Sequence, residues 1–177
     1  MTLVDANVLL DVVTGDRTWL DWSLGELARL AAGGLAINPI IHAELVPAFR
    51  TEAELEAAFR EWPLQRLALP YAAAWPAARA FAEYRARGGT RTAPLPDFYI
   101  GAHAETEGHT LLTRCSHATR RATARISRMS LSSAPRRVPR ELRKIFNPKL
   151  PPCPSTPPSP PPATTSTPCS SATSSMN

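Results

Sequence analysis

Three carboxylates stand out in the first two thirds of this chain. Asp5 lies inside the apolar run TLVDANVLL, with no basic residue near it. Glu44 belongs to the stretch IIHAELV, and Asp97 follows the prolines of APLP. Taken singly, two of them are ordinary. An Asp at a helix start is commonly a cap, and a Glu on a helix is commonly solvated. Asp5 is different, because a carboxylate beside a buried strand is costly unless it is paired or bound to a cation. A divalent cation would satisfy several such acids at once, and hard Mg²⁺ or Mn²⁺ prefers oxygen ligands. His42, His103 and His109 lack H-x-x-x-H spacing and read as structural or surface residues, so zinc is not indicated.

The elements that would position these acids alternate between strand and helix. TLVDA reads as a buried strand ending at Asp5, and NVLLDVV as the helix after it. TWLDWSLGELARLAAG carries Trp19, Trp22, Leu27 and Leu30 near helical spacing and stops at Gly33-Gly34. The two tryptophans are most simply core or a partner-facing patch. LAINPII reads as a second strand, leading into the helix IIHAELVPAF that bears Glu44. TEAELEAAFREW has a capping-box pattern, Thr51 with Glu54, ahead of an apolar stripe. LQRLALP is a third strand, and YAAAWPAARAFAEYRARGG a helix with a potential kink at Pro76. The loop TRTAPLP precedes the helix DFYIGAHAETEG, which Asp97 opens, and HTLLT is a fourth strand. Such alternation implies an α/β fold, a parallel sheet with helices on both faces. In open sheets of this kind the functional crevice lies outside the carboxyl ends of the strands, where all three acids fall.

Charge divides the chain sharply. The net charge of +5 arises from residues 115–177, where ten Lys and Arg face the single acid Glu141. Residues 1–114 hold ten Arg against fourteen Asp and Glu, a formal charge of −4. The basic average is therefore no sign that the first part binds nucleic acid. All three cysteines, Cys115, Cys153 and Cys169, lie after residue 114 without C-x-x-C spacing, which fits free thiols in a reducing compartment. The start MTLVDANVLL has no basic region and carries Asp5, unlike a secretory signal. No uncharged apolar run approaches the roughly 20 residues that span a bilayer. A cytoplasmic protein with no membrane partner is expected.

The combination of motifs is more specific than any one acid. LVDANVLLDV, HAELV, PLPDFYIGAHA and TLLTR resemble, in order and spacing, the PIN-domain ribonucleases. They are most similar to the toxin components of VapBC-type toxin–antitoxin pairs. The resemblance covers residues 1–114. It implies a Rossmann-like sheet, an acidic Mg²⁺ or Mn²⁺ site, cleavage of RNA, neutralisation by a small antitoxin protein, and a homodimer. It assigns Asp5, Glu44 and Asp97 as metal-binding and catalytic acids, with Asn7 and Thr113 supporting them. Arg91 and Arg114 are expected at the mouth of the crevice, within reach of RNA phosphates. A phosphatase-like Mg²⁺ hydrolase is the competing enzyme class, but its D-x-D start is absent from Asp5-Ala6-Asn7.

The family has a fourth acid, the Asp of a TRD ending, and here that position is Cys115. A thiol is soft and mostly protonated at neutral pH, so it is a poor ligand for Mg²⁺. Glu105 and Glu107 cannot replace the acid, lying roughly 12–15 Å from Asp97 along one helix. The stretch LLTRCSHATRR has a simple genetic reading. With third bases chosen freely and the frame moved by one nucleotide, residues 114–135 can be rewritten LLTRDAARYRTYFPDVALISAP. That restores the acid, a helix and a last strand, and its opening repeats LLTR as a short tandem duplication would. The expected organisation is a PIN-like domain over 1–114 with an incomplete end, an aberrant and partly ordered Arg-rich segment over 115–139, and a disordered Pro/Ser/Thr-rich tail over 140–177. The expected function is an Mg²⁺-dependent endoribonuclease of the toxin type, impaired by loss of the fourth acid. The alternative is an inactive PIN-like protein that only binds antitoxin or RNA.

Overall fold

The computed structural model describes residues 1–114. The segments expected to be aberrant (115–139) and disordered (140–177) lie outside the described residues. Four short strands carry the architecture: β1 (Thr2–Val4), β2 (Leu35–Ile37), β3 (Leu64–Arg66) and β4 (Thr110–Leu112). All neighbours are parallel, in the order β3-β2-β1-β4. Leu3 is matched with Ala36 on one side and Leu111 on the other, which makes β1 a central strand. Leu3, Val4, Leu35, Ala36, Ile37, Leu111 and Leu112 are all buried. Strands covered on both faces read as continuous apolar runs, and these do.

The helices are α1 (Ala6–Thr14), α2 (Leu20–Ala31), α3 (Pro39–Leu45), α4 (Glu52–Glu61), α5 (Ala74–Ala86) and α6 (Pro96–Thr106). Among the described residues no helix is long and apolar enough to cross a membrane. From β1 to β3 the chain moves steadily to one side, and it then crosses back past β1 to place β4. If its crossovers follow the right-handed rule, that reversal sends α5 and α6 to the face opposite the earlier helices. The direction of the chain changes between β1 and β4, the place where open sheets of this kind put their ligand site, outside the carboxyl ends of the strands. Val8, Leu9, Leu24, Leu27, Ile41, Leu45 and Ile100 pack with the strands into the main core. Ala73, Ala77 and Ala80 pack with Phe98 and Ala102 in a second cluster.

Several boundaries differ from the expected ones, each for a local reason. The second strand stops at Ile37 rather than running through LAINPII. Asn38 turns the chain into α3 by accepting from the N–H groups of Ile40 and Ile41, with Pro39 in the first turn. The third strand is likewise only Leu64–Arg66 of LQRLALP. Pro76 does not kink a helix, because α5 begins at Ala74 and Pro76 falls in the first turn, where no backbone bond is lost. Thr51 caps α4 by accepting from Glu54 N–H, while the Glu54 carboxylate accepts from Arg50 N–H rather than from Thr51.

Candidate metal centre

Asp5 follows β1 and occupies the residue before α1, yet its side chain does not cap that helix. It points instead into a polar corner. Its Oδ2 accepts from Thr113 Oγ1 at 2.6 Å and from Asn7 Nδ2 at 2.7 Å. Asn7 Nδ2 also lies 3.0 Å from Thr113 Oγ1, and Asn7 Oδ1 accepts from Arg114 N–H at 3.3 Å. Asp5 N–H donates to Leu112 O, so backbone and side chains together join the ends of β1 and β4. Asp5 is 9 % exposed, and burial pushes its carboxyl upward. The Thr113 hydrogen bond opposes that shift, and the charge of Asp97 adds to it.

Glu44 approaches from α3 and Asp97 from the first turn of α6. Asp97 is not a cap, because Leu95 holds that position and Pro96 opens the helix. Burial raises the Asp97 carboxyl. Glu44 is pushed up to about 7, first by burial and then by the charges of Asp5 and Asp97. The two helices are tied where they approach each other. The amide of Asn38, which caps α3, lies 3.2 Å from Nδ1 of His103 on α6. Because Asn38 Oδ1 is occupied by the cap, its Nδ2 donates to an unprotonated ring nitrogen. Burial pushes His103 downward and favours that neutral ring. His103 is thus a structural histidine, and His42 packs against Phe59.

The three acids share one electrostatic field, since each of Asp5 and Glu44 is raised by another member of the set. Among the described residues, no group of three His, Cys, Asp or Glu side chains is already drawn into a metal-holding cluster. The donor chemistry fits a hard divalent cation: carboxyl oxygens, held at one end of the sheet, each penalised by burial or by its neighbours' charge. A cation placed among them would reverse the sign of that penalty.

The two arginines occupy different settings. Arg91 lies on the exposed loop before α6, where its backbone is held by Arg85 and Tyr84. Arg114 sits beside the acids, but its guanidinium is engaged: it pairs with Asp11 Oδ1 at 3.2 Å and lies 5.5 Å from the ring centre of Trp19. Trp19 in turn packs edge-on against Trp22. Asp11 is 2 % exposed and also accepts from Ser23 Oγ at 2.7 Å. Asp11 was not singled out among the sequence motifs. The signal was present, since Asp11 interrupts NVLLDVV much as Asp5 interrupts TLVDANVLL.

The PIN domain family profile matches residues 2–122. No curated protein matches the sequence. Among solved structures, the fold is similar to that of VapBC2 from Rickettsia felis bound to a DNA fragment from their promoter. The TM-score is 0.54 at 19% identity, over 68% of this chain and 92% of that one. It is also similar to FitAcB from Neisseria gonorrhoeae, with a TM-score of 0.52 at 18% identity, over 69% and 93% of the two chains. A parallel sheet in this strand order, acids at the switch point and a profile match over most of the chain lead to one conclusion: the protein belongs to the PIN-domain family.

Proposed function

We propose that this chain is a divalent-cation-dependent endoribonuclease of the toxin type, weakened by Cys115 at the position of the family's fourth acid. One observation carries the reading: Asp5, Glu44 and Asp97 reach one end of the sheet from three elements, and burial with mutual charge lifts Glu44 to about 7. Asp5, Glu44 and Asp97 would hold Mg²⁺ or Mn²⁺. Such an ion, when bound, lowers the pKa of a water and offsets charge on a scissile phosphate. Thr113 and Asn7 fix Asp5 by donating to one of its oxygens, leaving its direction set before any ligand arrives. Without a cation Glu44 is pushed up to about 7, so near neutral pH a proton competes with the cation for its carboxylate.

The fold shared with VapBC2 supports an antitoxin protein as partner; a homodimer and a cytoplasmic setting are what the sequence resemblance to VapBC-type toxins implies. The Arg-rich residues 120–144 would add non-specific attraction to RNA by neutralising phosphates. Cys115 favours the second reading, a PIN protein that retains binding without cleavage. The test is to express the chain as written and the version carrying the other frame after Arg114. Mg²⁺-dependent RNA cleavage is then compared, with Asp5→Asn as control. The restored version should cleave, and the chain as written should cleave poorly. Equal activity would show that three acids suffice, and an inactive restored version would count against the nuclease reading.

A further inference from the structure

Asp11 is a charged side chain almost wholly removed from water, and neither catalysis nor metal binding uses it directly. Its two oxygens have separate partners: Ser23 on α2 meets Oδ2, and Arg114, after β4, meets Oδ1. Arg114 is 32 % exposed in its side chain and covered on one side by Trp19. A buried ion pair of this kind is a weak source of stability, because desolvation offsets the attraction. The upward shift of Asp11, led by burial despite Ser23 and Arg114, agrees with that balance. What the pair does is geometric. Arg114 N–H donates to Asn7 Oδ1, and Asn7 Nδ2 donates to Asp5 Oδ2. Thr113, the residue before Arg114, donates to the same oxygen of Asp5. The ion pair therefore clamps the end of β4 to α1 at the point where two donors converge on one acid.

We propose that Asp11 and Arg114 form a positioning couple that sets the Asn7 and Thr113 hydrogen bonds to Asp5, and through them the cation affinity of the acidic site. The couple rests on the metal-site reading for its consequence, but not for its geometry. It also assigns Arg114 a role distinct from phosphate contact. An arginine needed for phosphate would change RNA binding and leave Mn²⁺ binding alone, whereas this couple changes Mn²⁺ binding in the absence of RNA. Residues that orient ligands from behind commonly control metal affinity over about 10–100-fold.

The experiment uses the full chain and Mn²⁺ alone, with Arg114→Ala, Arg114→Lys and Val12→Ala. Val12 is buried on α1 and apolar, so its truncation lowers stability without touching the couple. Mn²⁺ affinity should fall about 10–100-fold in Arg114→Ala, recover in part in Arg114→Lys, and stay within about twofold in Val12→Ala. The Asn7 side-chain amide resonances, recorded without metal, should move in Arg114→Ala and hold still in Val12→Ala. Wild-type affinity in Arg114→Ala, or an equal loss in Val12→Ala, would overturn the proposal. If the wild-type chain binds no Mn²⁺, the metal-site reading fails. The couple is then upheld by an Asn7 amide shift specific to Arg114→Ala and overturned by its absence.

Discussion

The two sides of the acidic crevice are built differently. On the β1–β4 side, Asp5 is held by Thr113 and Asn7, and these are tied back to the Asp11–Arg114 pair. On the α3–α6 side, Glu44 and Asp97 have no hydrogen bond or ion pair from the described residues to fix their carboxyls. Only the helices beneath them are fixed, through the cap at Asn38, its link to His103 and the burial of Ile41, Leu45 and Ile100. One wall is preorganised at the level of the carboxylate, the other only at the level of the backbone. Asp5 has donors that partly offset the upward push of burial and of the Asp97 charge, whereas Glu44 meets burial and two like charges and rises to about 7. A cation would therefore change the loose wall more than the tight one.

Substitutions on the two walls should separate these roles. The largest effect is expected from Asp5→Asn in the restored-frame chain, which should lose Mg²⁺-dependent RNA cleavage entirely; residual cleavage at the parent rate would remove Asp5 from the site. Thr113→Val comes next. It deletes the 2.6 Å donor to Asp5 with little change of shape and should weaken Mn²⁺ binding about 10–100-fold by calorimetric titration. Asn38→Ala acts on the other wall. It removes a helix cap and leaves a buried ring nitrogen without its donor, at a combined cost of about 2–3 kcal/mol in denaturant unfolding. The Asn7 amide signals of the tight wall should not move in that variant.

A smaller effect follows from pH. The folded-state pKa of Glu44, about 7, lies above its ordinary 4.5, so between those values the folded chain binds a proton that the unfolded chain does not. Metal-free stability should then rise as pH falls from about 7 to about 4.5, with Asp5 and Asp97 adding in the same direction. Glu44→Gln should flatten the Glu44 part of that slope, as read from melting temperature against pH. Mn²⁺ affinity should change the opposite way, falling as pH drops, because protons compete for the same carboxyls.

Much of this was legible in the sequence, but unevenly. Asp5 was marked by its apolar surroundings, and the strand–helix alternation led to the parallel sheet and the crevice at its carboxyl ends. Asn7 and Thr113 came from the family pattern. The expected strands are too long at LQRLALP, where Leu67, Ala68 and Leu69 continue the apolar run beyond β3, and at LAINPII, where apolar residues continue into a capped helix start. Asn38 is the residue that decides that boundary. The two ties that hold the walls, Asn38 to His103 and Asp11 to Arg114, join residues far apart in the chain. Local periodicity carries no information about such pairs. Their only trace was a polar residue in an apolar setting, and that trace names no partner.

We propose that Asp5, Glu44 and Asp97 form a single cation site. Its most direct test is the thermal stability of the wild-type chain and of Asp97→Asn, each with and without Mn²⁺ at neutral pH. Binding to the folded state alone raises the melting temperature by mass action, so Mn²⁺ should stabilise the wild-type chain. In Asp97→Asn the shift should vanish, although Asp97 is separated in sequence from both partners. A Mn²⁺ shift that survives this substitution at full size would contradict the claim.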